Sequence, residues 1–472
     1  MSITDPLLLG LSLPFLAAPF AYMAEKWFKA GAYLATLIFI ISTAIFLTQL
    51  EGGVVEYKWL ENIGVNFGLR ADGLSIPIIL LITGISALVS FYSKGYMEKK
   101  KSLPLYYALL LLFSGSMMGI ILSTNFIQFY VFWEAVIIPA YFLIAKWGYG
   151  DSNRAAFQFF VYMHAGALLV LIAILWLSSF VQTFDIWEMS ELTKFVPSGT
   201  LDIIMSLFLL GFGIKIALFP FHSWLPDTYC NSPTPISALL GGLMNKCGAY
   251  SIIRVLMLFS PSATALGWFW TLALTTLFYG AVVCLSQPDI KKLLAYSSMS
   301  QLGYIMFGAL SGPAGILGGT FHIVNHGITK TLLFLCAGSV IHATGERDAN
   351  KLGGLLHLMP FTALGFFISA ISIAGIPPTN NFASEWMIFL AGFEHGAFFE
   401  TTTAIIITVL TAAYMIIPIN KIFFGKLKHK FTKTKEAPLT MLIPILILII
   451  PEILFGIWPA PVVDIIRGVL GE

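Results

Sequence analysis

Apolar residues fall into fourteen runs, each of about twenty residues, the length that crosses a hydrocarbon core about 30 Å thick. They lie near 6–24, 30–49, 73–93, 105–123, 126–145, 157–180, 201–221, 235–259, 264–286, 292–310, 314–342, 360–392, 401–421 and 439–459. The connections are short and show no strand alternation. The expectation is an all-α polytopic membrane bundle, because backbone amides in lipid must be satisfied within each helix. The first run follows Asp5 rather than a basic segment, so it reads as a retained helix and not a cleaved leader.

Two spans are interrupted. The seventh carries Gly211, Gly213 and Lys215 ahead of Pro220 and Pro226; the twelfth carries Gly375-Ile-Pro-Pro-Thr-Asn-Asn ahead of Glu385. Proline removes a helix donor, and Gly or Asn accepts the left-handed turn that ends a helix. The breaks stand five spans apart, an odd number, so spans 4–8 and 9–13 would run in opposite directions, as inverted repeats do around a midplane site. The expected division is 1–104 for the first three helices, 105–259 and 260–425 for the two five-helix units, and 426–472 for a basic loop and the last helix.

Lys and Arg set the orientation. One set of loops holds Lys26, Lys29, Lys94, Lys99, Lys100, Lys101, Lys146, Arg154, Lys291, Lys292, Arg347, Lys351, Lys421, Lys426, Lys428, Lys430, Lys433 and Lys435. The opposite set holds only Lys58, Arg70, Lys194 and Arg467. The rich side is expected to be cytoplasmic, which places both termini outside a cell membrane.

Composition agrees: 58% of residues are hydrophobic and 11% charged, against about 25% charged in soluble domains. A formal net charge of +2 gives no sign of a nucleic-acid partner. Cys230, Cys247, Cys284 and Cys336 are scattered, without a Cys-x-x-Cys pair, so neither an iron–sulfur site nor a disulfide framework is expected. The expectation is no cofactor, metal or redox centre on this chain.

Against that background five charges stand inside spans: Glu134, Lys215, Lys246, Lys330 and Glu385. A charge at bilayer depth costs about 2.5–3.5 kcal/mol on insertion scales, so each is a functional candidate. A Glu134–Lys215 pair at about 4 Å would be worth roughly 4 kcal/mol at an effective dielectric of 20. Separating the pair would let a buried lysine release its proton; a static brace between two helices has the same sequence signature. Lys246 lies among small residues that permit close helix packing, although snorkelling is its alternative. Arg254, nearer a span end, reads as an anchor.

His322, His326 and Lys330 recur every four residues along the eleventh span, about 12 Å of one drifting face. Imidazole both donates and accepts, so the row can pass protons through water. Two satisfied core histidines or a His-x-x-x-His metal pair are the alternatives, the latter without an evident third ligand. Glu385 reads as a proton exit or as a capping carboxylate. His164, His222 and Asp227 are weaker candidates.

The motifs themselves are familiar. Phe-Trp-Glu-Ala-Val-Ile-Ile-Pro-Ala-Tyr-Phe-Leu-Ile (132–144), Lys215 followed by Pro-Phe-His-Ser-Trp-Leu-Pro-Asp (220–227), Ser-Pro-Thr-Pro-Ile-Ser-Ala-Leu-Leu (232–240) before Lys246, and His322–His326–Lys330-Thr-Leu-Leu-Phe-Leu resemble the proton-translocating antiporter-like subunits. That family serves complex I, its archaeal and hydrogenase relatives, and the multi-subunit Mrp Na⁺/H⁺ antiporters. The resemblance covers roughly residues 60–425. It implies two inverted five-helix units, broken helices 7 and 12, and proton transfer by Glu134, Lys215, Lys246, His322, His326, Lys330 and Glu385. It also implies other membrane subunits as partners, homologous antiporter-like subunits among them.

Glu385, where many siblings have lysine, resembles the M-type subunit. The sequence stops soon after its fourteenth run, so the long lateral helix of the L-type is not expected. Tyr229-Cys230-Asn231 and Asn381 depart from the usual pattern. The resulting expectation is a proton-translocating subunit of a complex I-type NADH, F420H2 or ferredoxin dehydrogenase, or of a hydrogenase, with no redox chemistry on this chain. An Mrp-type antiporter subunit is the alternative. The readings from other classes are a stand-alone solute transporter and a purely structural membrane protein.

Overall fold

The computed structural model describes residues 5–259 and 262–470. The expected boundary between the two five-helix units, at 260, falls outside that set.

Helices occupy every predicted run. α1 (Pro6–Phe28) and α2 (Gly31–Leu47) precede α3 (Ser75–Tyr96), α4 (Leu103–Leu122), α5 (Phe126–Ala135), α6 (Ile137–Trp147) and α7 (Ser152–Val181). A short α8 (Ile186–Leu192) leads to α9 (Ser198–Lys215), α10 (Trp224–Asn231), α11 (Thr234–Leu239) and α12 (Asn245–Leu258). The second half contains α13 (Ala263–Leu285), α14 (Ile290–Leu310), α15 (Gly312–Thr344), α16 (Pro360–Ile373), α17 (Asn380–Glu394), α18 (Phe398–Ile419), α19 (Leu439–Ile457) and α20 (Ala460–Leu470). Among the described residues ten helices are long and apolar enough to cross a membrane, with α5 and α6 counting together; α2 and α16 are shorter apolar helices. The protein is an all-α polytopic membrane protein.

Helix starts follow local chemistry. The side chains of Asp5, Asn125, Asp185 and Asp289 each accept an amide of the first turn, satisfying donors that no helical carbonyl reaches. α5 passes into α6 through Val136, whose backbone stays helical. Pro139 lacks the amide that would have bonded back across that joint.

Both expected breaks are present. α9 ends at Lys215, and turns fill the chain up to α10. α16 ends at Ile373, and Gly375, at φ +66°, opens the turn that leads to α17. α7 and α9 touch backbone to backbone: a Cβ on Gly211 would lie 2.7 Å from the Gly166 carbonyl oxygen, and one on Gly166 2.8 Å from that of Gly211. Small residues give this approach in a membrane, where packing rather than water drives association.

The structure corrects the expectation of a strand-free chain. β1 (Gly53–Leu60) and β2 (Val65–Ala71) form an antiparallel hairpin between α2 and α3. Val-Val-Glu-Tyr-Lys-Trp carries the β-branched and aromatic residues of such a strand. The hairpin, α8 and α20 gather at one end of the bundle: Asn125 Nδ2 donates to the Asn66 carbonyl, Arg70 lies 4.3 Å over the Trp187 ring, and Gly73 packs on the Ile465 carbonyl. The lysine-rich loops gather at the other. Lys94 Nζ donates to the Lys29 carbonyl, Trp147 Nε1 to that of Lys101, and Lys421 Nζ to Asn350 Oδ1.

α15 is the axis of the core. Its 33 residues span about 50 Å at 1.5 Å per residue, and every residue from Gly315 to Val340 is buried. It packs on α3, α14, α16, α17 and α19. A helix enclosed on all sides can carry polar groups at bilayer depth, because none of them meets lipid.

Candidate functional site

The seven candidates fall into three groups around the two breaks. In the first, the expected Glu134–Lys215 ion pair is absent. Glu134, at the end of α5, is partly exposed on the side of the bundle and lies 3.2 Å from His164 Nε2 on α7. Lys215 is buried at the C-terminus of α9; its ammonium has no hydrogen-bond partner and lies 3.7 Å from the Trp133 ring centroid. Consecutive residues on a helix point about 100° apart, so Trp133 and Glu134 divide the two jobs.

The second group lies where α12 meets α15. Leu240–Met244 is a π turn, and the Lys246 ammonium donates to the Gly241 carbonyl inside it. Such turns recur at functional sites because they displace one residue from the α-helical register. Lys246 is fully buried, and α12, which carries it, packs on α15, which carries His322, His326 and Lys330. Lys330 Nζ donates to Ser297 Oγ at 2.6 Å and to the Leu294 carbonyl at 3.3 Å.

The third group centres on the broken α16–α17 pair. The His322 and His326 rings stack with centroids 5.8 Å apart. His322 Nε2 is 2.8 Å from Gln301 Oε1, and Gln301 Nε2 donates to Glu385 Oε1 at 3.3 Å. On its other side His322 Nδ1 meets Ser384 Oγ at 2.9 Å. His326, equally buried, has no partner at either ring nitrogen. Glu385 lies against Gly375, where a Cβ would sit 2.5 Å from Oε2. It also lines a crevice of about 250 Å³ with Trp386, Phe389 and Leu390. The row therefore points into the bundle, with Glu385 reached through Gln301.

Several polar residues escaped the sequence reading. Gln301, which joins His322 to Glu385, looks neutral and unremarkable in a helix. Lys291, counted as a loop cation, is buried with its ammonium on the Ser232 carbonyl. Arg254 is no lipid-facing anchor: it is 5% exposed and donates to Asp72 Oδ1 at 2.7 Å and to the Tyr250 hydroxyl. Glu452 in α19 is fully buried. It lies as deep in its run as Lys215 does in its own, and the sequence reading passed over it.

A buried polar axis and two broken helices set ionisable groups at bilayer depth inside a polytopic bundle, the positions where such groups mark ion pathways. Residues 123–411 match the family described as "NADH:quinone oxidoreductase/Mrp antiporter, TM", and residues 59–107 match "NADH-Ubiquinone oxidoreductase (complex I), chain 5 N-terminus". The chain belongs to the first of these families. It is 38% identical to the A subunit of the Na⁺/H⁺ antiporter of Alkalihalophilus pseudofirmus and 37% identical to the A1 subunit of the Na⁺/H⁺ antiporter of Staphylococcus haemolyticus, each alignment covering 96% of this chain and 60% of the relative. The chain thus spans about 60% of the length of these curated relatives.

Among solved structures it resembles a chain of the archaeal membrane-bound sulfane sulfur reductase at TM-score 0.90 and 26% identity, covering 98% of this chain and 77% of that one. A chain of the Mrp complex from Dietzia sp. matches at 0.89 and 26%, covering 99% and 52%. A chain of Thermus thermophilus complex I matches at 0.88 and 25%, covering 99% and 100%. The curated relatives overturn the expectation of a dehydrogenase or hydrogenase subunit, since they are named as parts of an antiporter.

Proposed function

We propose that this chain is a proton-conducting subunit of an Mrp-type Na⁺/H⁺ antiporter assembly. The observation that carries the reading is the hydrogen-bonded row His322–Gln301–Glu385, which joins the histidines of α15 to a carboxyl lining a lateral crevice. Lys215, Lys246 and Lys330 continue the row of ionisable groups toward the first break. Steps longer than a hydrogen bond, such as that between the two stacked imidazoles, pass through water. The family and the curated relatives, which are named as parts of Na⁺/H⁺ antiporters, support antiport rather than redox-driven pumping.

The Glu134–His164 pair supports life in a complex. It sits among exposed Val131, Ile138, Val161 and Leu168, where lipid is a poor solvent for a charge. In this reading a neighbouring membrane subunit covers that face. The basic loops face the cytoplasm and both chain ends lie outside, from the distribution of Lys and Arg.

The test is a Na⁺ pulse given to everted membrane vesicles that contain the assembled complex, with proton movement followed by a pH-sensitive dye. The reading expects Na⁺-dependent proton movement that is lost in Lys330→Met while the complex stays assembled. Equal responses with and without the chain would refute it.

A further inference from the structure

An apolar cleft of about 940 Å³ separates α2 from α19 on the flank of the bundle, outside the proton path. α3 and α15 form its floor. Residues two apart on a helix point about 200° apart, so Val324 and Ile328 line the cleft on the side of α15 away from His326. Ile40 and Leu47 on one wall, and Ile443 and Ile447 on the other, are exposed, so the cleft opens sideways. The threonines of the α2 wall are already committed: Thr36 Oγ1 donates to the Ala32 carbonyl at 2.9 Å and Thr43 Oγ1 to the Phe39 carbonyl at 2.8 Å. An occupant meets apolar surface.

The two ends of the cleft differ. At one, Pro461 and Ile465 of α20 lie across it, and Gly73 packs on the Ile465 carbonyl to hold α20 there. At the other, the apolar stripes of three helices turn polar at one level. Tyr33 stands three residues before Thr36 on α2, Lys94 three after Phe91 on α3, and Thr440 three before Ile443 on α19. Residues three apart are neighbours on a helix face. The contacts agree: the Tyr33 and Phe91 ring centroids are 6.1 Å apart, the Lys94 ammonium is 5.6 Å from the Tyr33 centroid, and Gly95 packs on the Thr440 side chain. Lys94 gives one hydrogen to the Lys29 carbonyl at 2.7 Å, which leaves two for other acceptors. Lys26 and Lys29, both exposed, stand at the same end.

We propose that the cleft holds the acyl chains of an anionic phospholipid from the leaflet on the side of the basic loops, with its phosphate at Lys94. The floor from Pro77 to Phe91 is about 21 Å long at 1.5 Å per residue, more than half of a hydrocarbon core about 30 Å thick. A helix of that length and about 10 Å across would fill roughly 1,600 Å³. The cleft is too small for it, and flexible chains fit. Tyrosine and lysine at the end of an apolar stripe are the side chains that meet headgroups, and basic residues there favour an anionic one. A lipid so seated touches α15 directly behind the histidine row. The inference needs only the membrane-spanning fold and stands whether or not the chain exchanges Na⁺ for protons.

The experiment uses the detergent-purified complex containing the full chain and phosphatidylglycerol with a photoreactive diazirine in one acyl chain. Labelled peptides are identified by mass spectrometry. Label is expected on the cleft-lining peptides of α2, α3 and α19. Unlabelled phosphatidylglycerol should compete at least about fivefold better than phosphatidylcholine with the same chains, the equivalent of about 1 kcal/mol for one Lys at an anionic surface. Lys94→Gln should remove about that factor while labelling persists. A Cβ on Gly84, which lines the floor, meets nothing within 4 Å. Gly84→Phe therefore fills the cleft without a clash at its root and should abolish labelling. Gly84→Ala leaves the cleft open in a better helix former; it should keep the label, which separates lost space from a disturbed helix. No label on these helices in the wild-type complex, the result if a protein segment fills the cleft, overturns the site, and so does full labelling of Gly84→Phe. Equal competition by the two lipids, or a preference unmoved in Lys94→Gln, overturns the anionic headgroup at Lys94.

Discussion

The Lys215 ammonium rests 3.7 Å from the centroid of the Trp133 ring, and the carboxylate of the following residue, Glu134, pairs with His164. A cation–π contact is worth about 0.5–2 kcal/mol, less than the roughly 4 kcal/mol of a close ion pair at an effective dielectric of 20. Lys215 is thus held by a ring face and not by a carboxylate.

That geometry orders the variants. Lys215→Met should reduce Na⁺-dependent proton movement by more than about tenfold, the scale for removing a proton-transfer group. Glu134→Gln should reduce it less, because the carboxylate does not touch the ammonium. Vesicle assays with assembly checked by native electrophoresis make the comparison. Equal and complete loss in both would favour a direct pair that forms in another state.

The two stacked histidines should separate stability from transport. His322→Leu deprives Gln301 and Ser384 of a buried partner, which costs about 1–3 kcal/mol per unsatisfied group. His326→Leu breaks no hydrogen bond and introduces a better helix former. Thermal melts of the purified complex should show a loss only for His322→Leu, while dye assays show slower proton movement in both. A His326→Leu complex that transports normally would remove that imidazole from the path.

At the second break, Gly375→Ala places a methyl against Glu385 Oε2 at a backbone φ of +66°. The backbone alone costs about 1–2 kcal/mol for a residue with a side chain, and the carboxyl must move away from Gln301. Lower thermal stability together with impaired exchange is expected. Normal exchange would show that the Glu385 position is not critical.

Arg254→Met should destabilise by about 1–3 kcal/mol, the scale for losing a buried charged hydrogen bond, because the Asp72 carboxylate loses its 2.7 Å partner while keeping the amides of Leu74 and Ser75 and the more distant Arg70. Adding Asp72→Asn should restore part of that loss. A double-mutant cycle on the thermal midpoint measures the coupling, and additive effects would contradict the buried pair.

Hydrophobic run length revealed the helices, and Pro and Gly revealed the breaks at Lys215 and Gly375, because these signals are local. That His322, His326 and Lys330 share one face was legible for the same reason: one helix fixes their spacing. What stayed hidden depended on neighbours. Whether Glu134 meets Lys215 or His164 is decided by how α5, α7 and α9 cross, and no single helix encodes that. Gln301 carries no charge to draw attention, yet it bonds both His322 and Glu385. The hairpin at 53–71 was lost between two strong apolar runs, although its alternation was there to be read.

Gln301→Leu offers the most direct test of the account. It leaves every ionisable group in place and removes only the amide that joins His322 to Glu385. In everted vesicles holding the assembled complex, a Na⁺ pulse should move protons with wild-type protein and at least about tenfold more slowly with the variant, as loss of a proton-relay contact predicts. Wild-type rates in Gln301→Leu, with assembly confirmed, would contradict a proton path through this row.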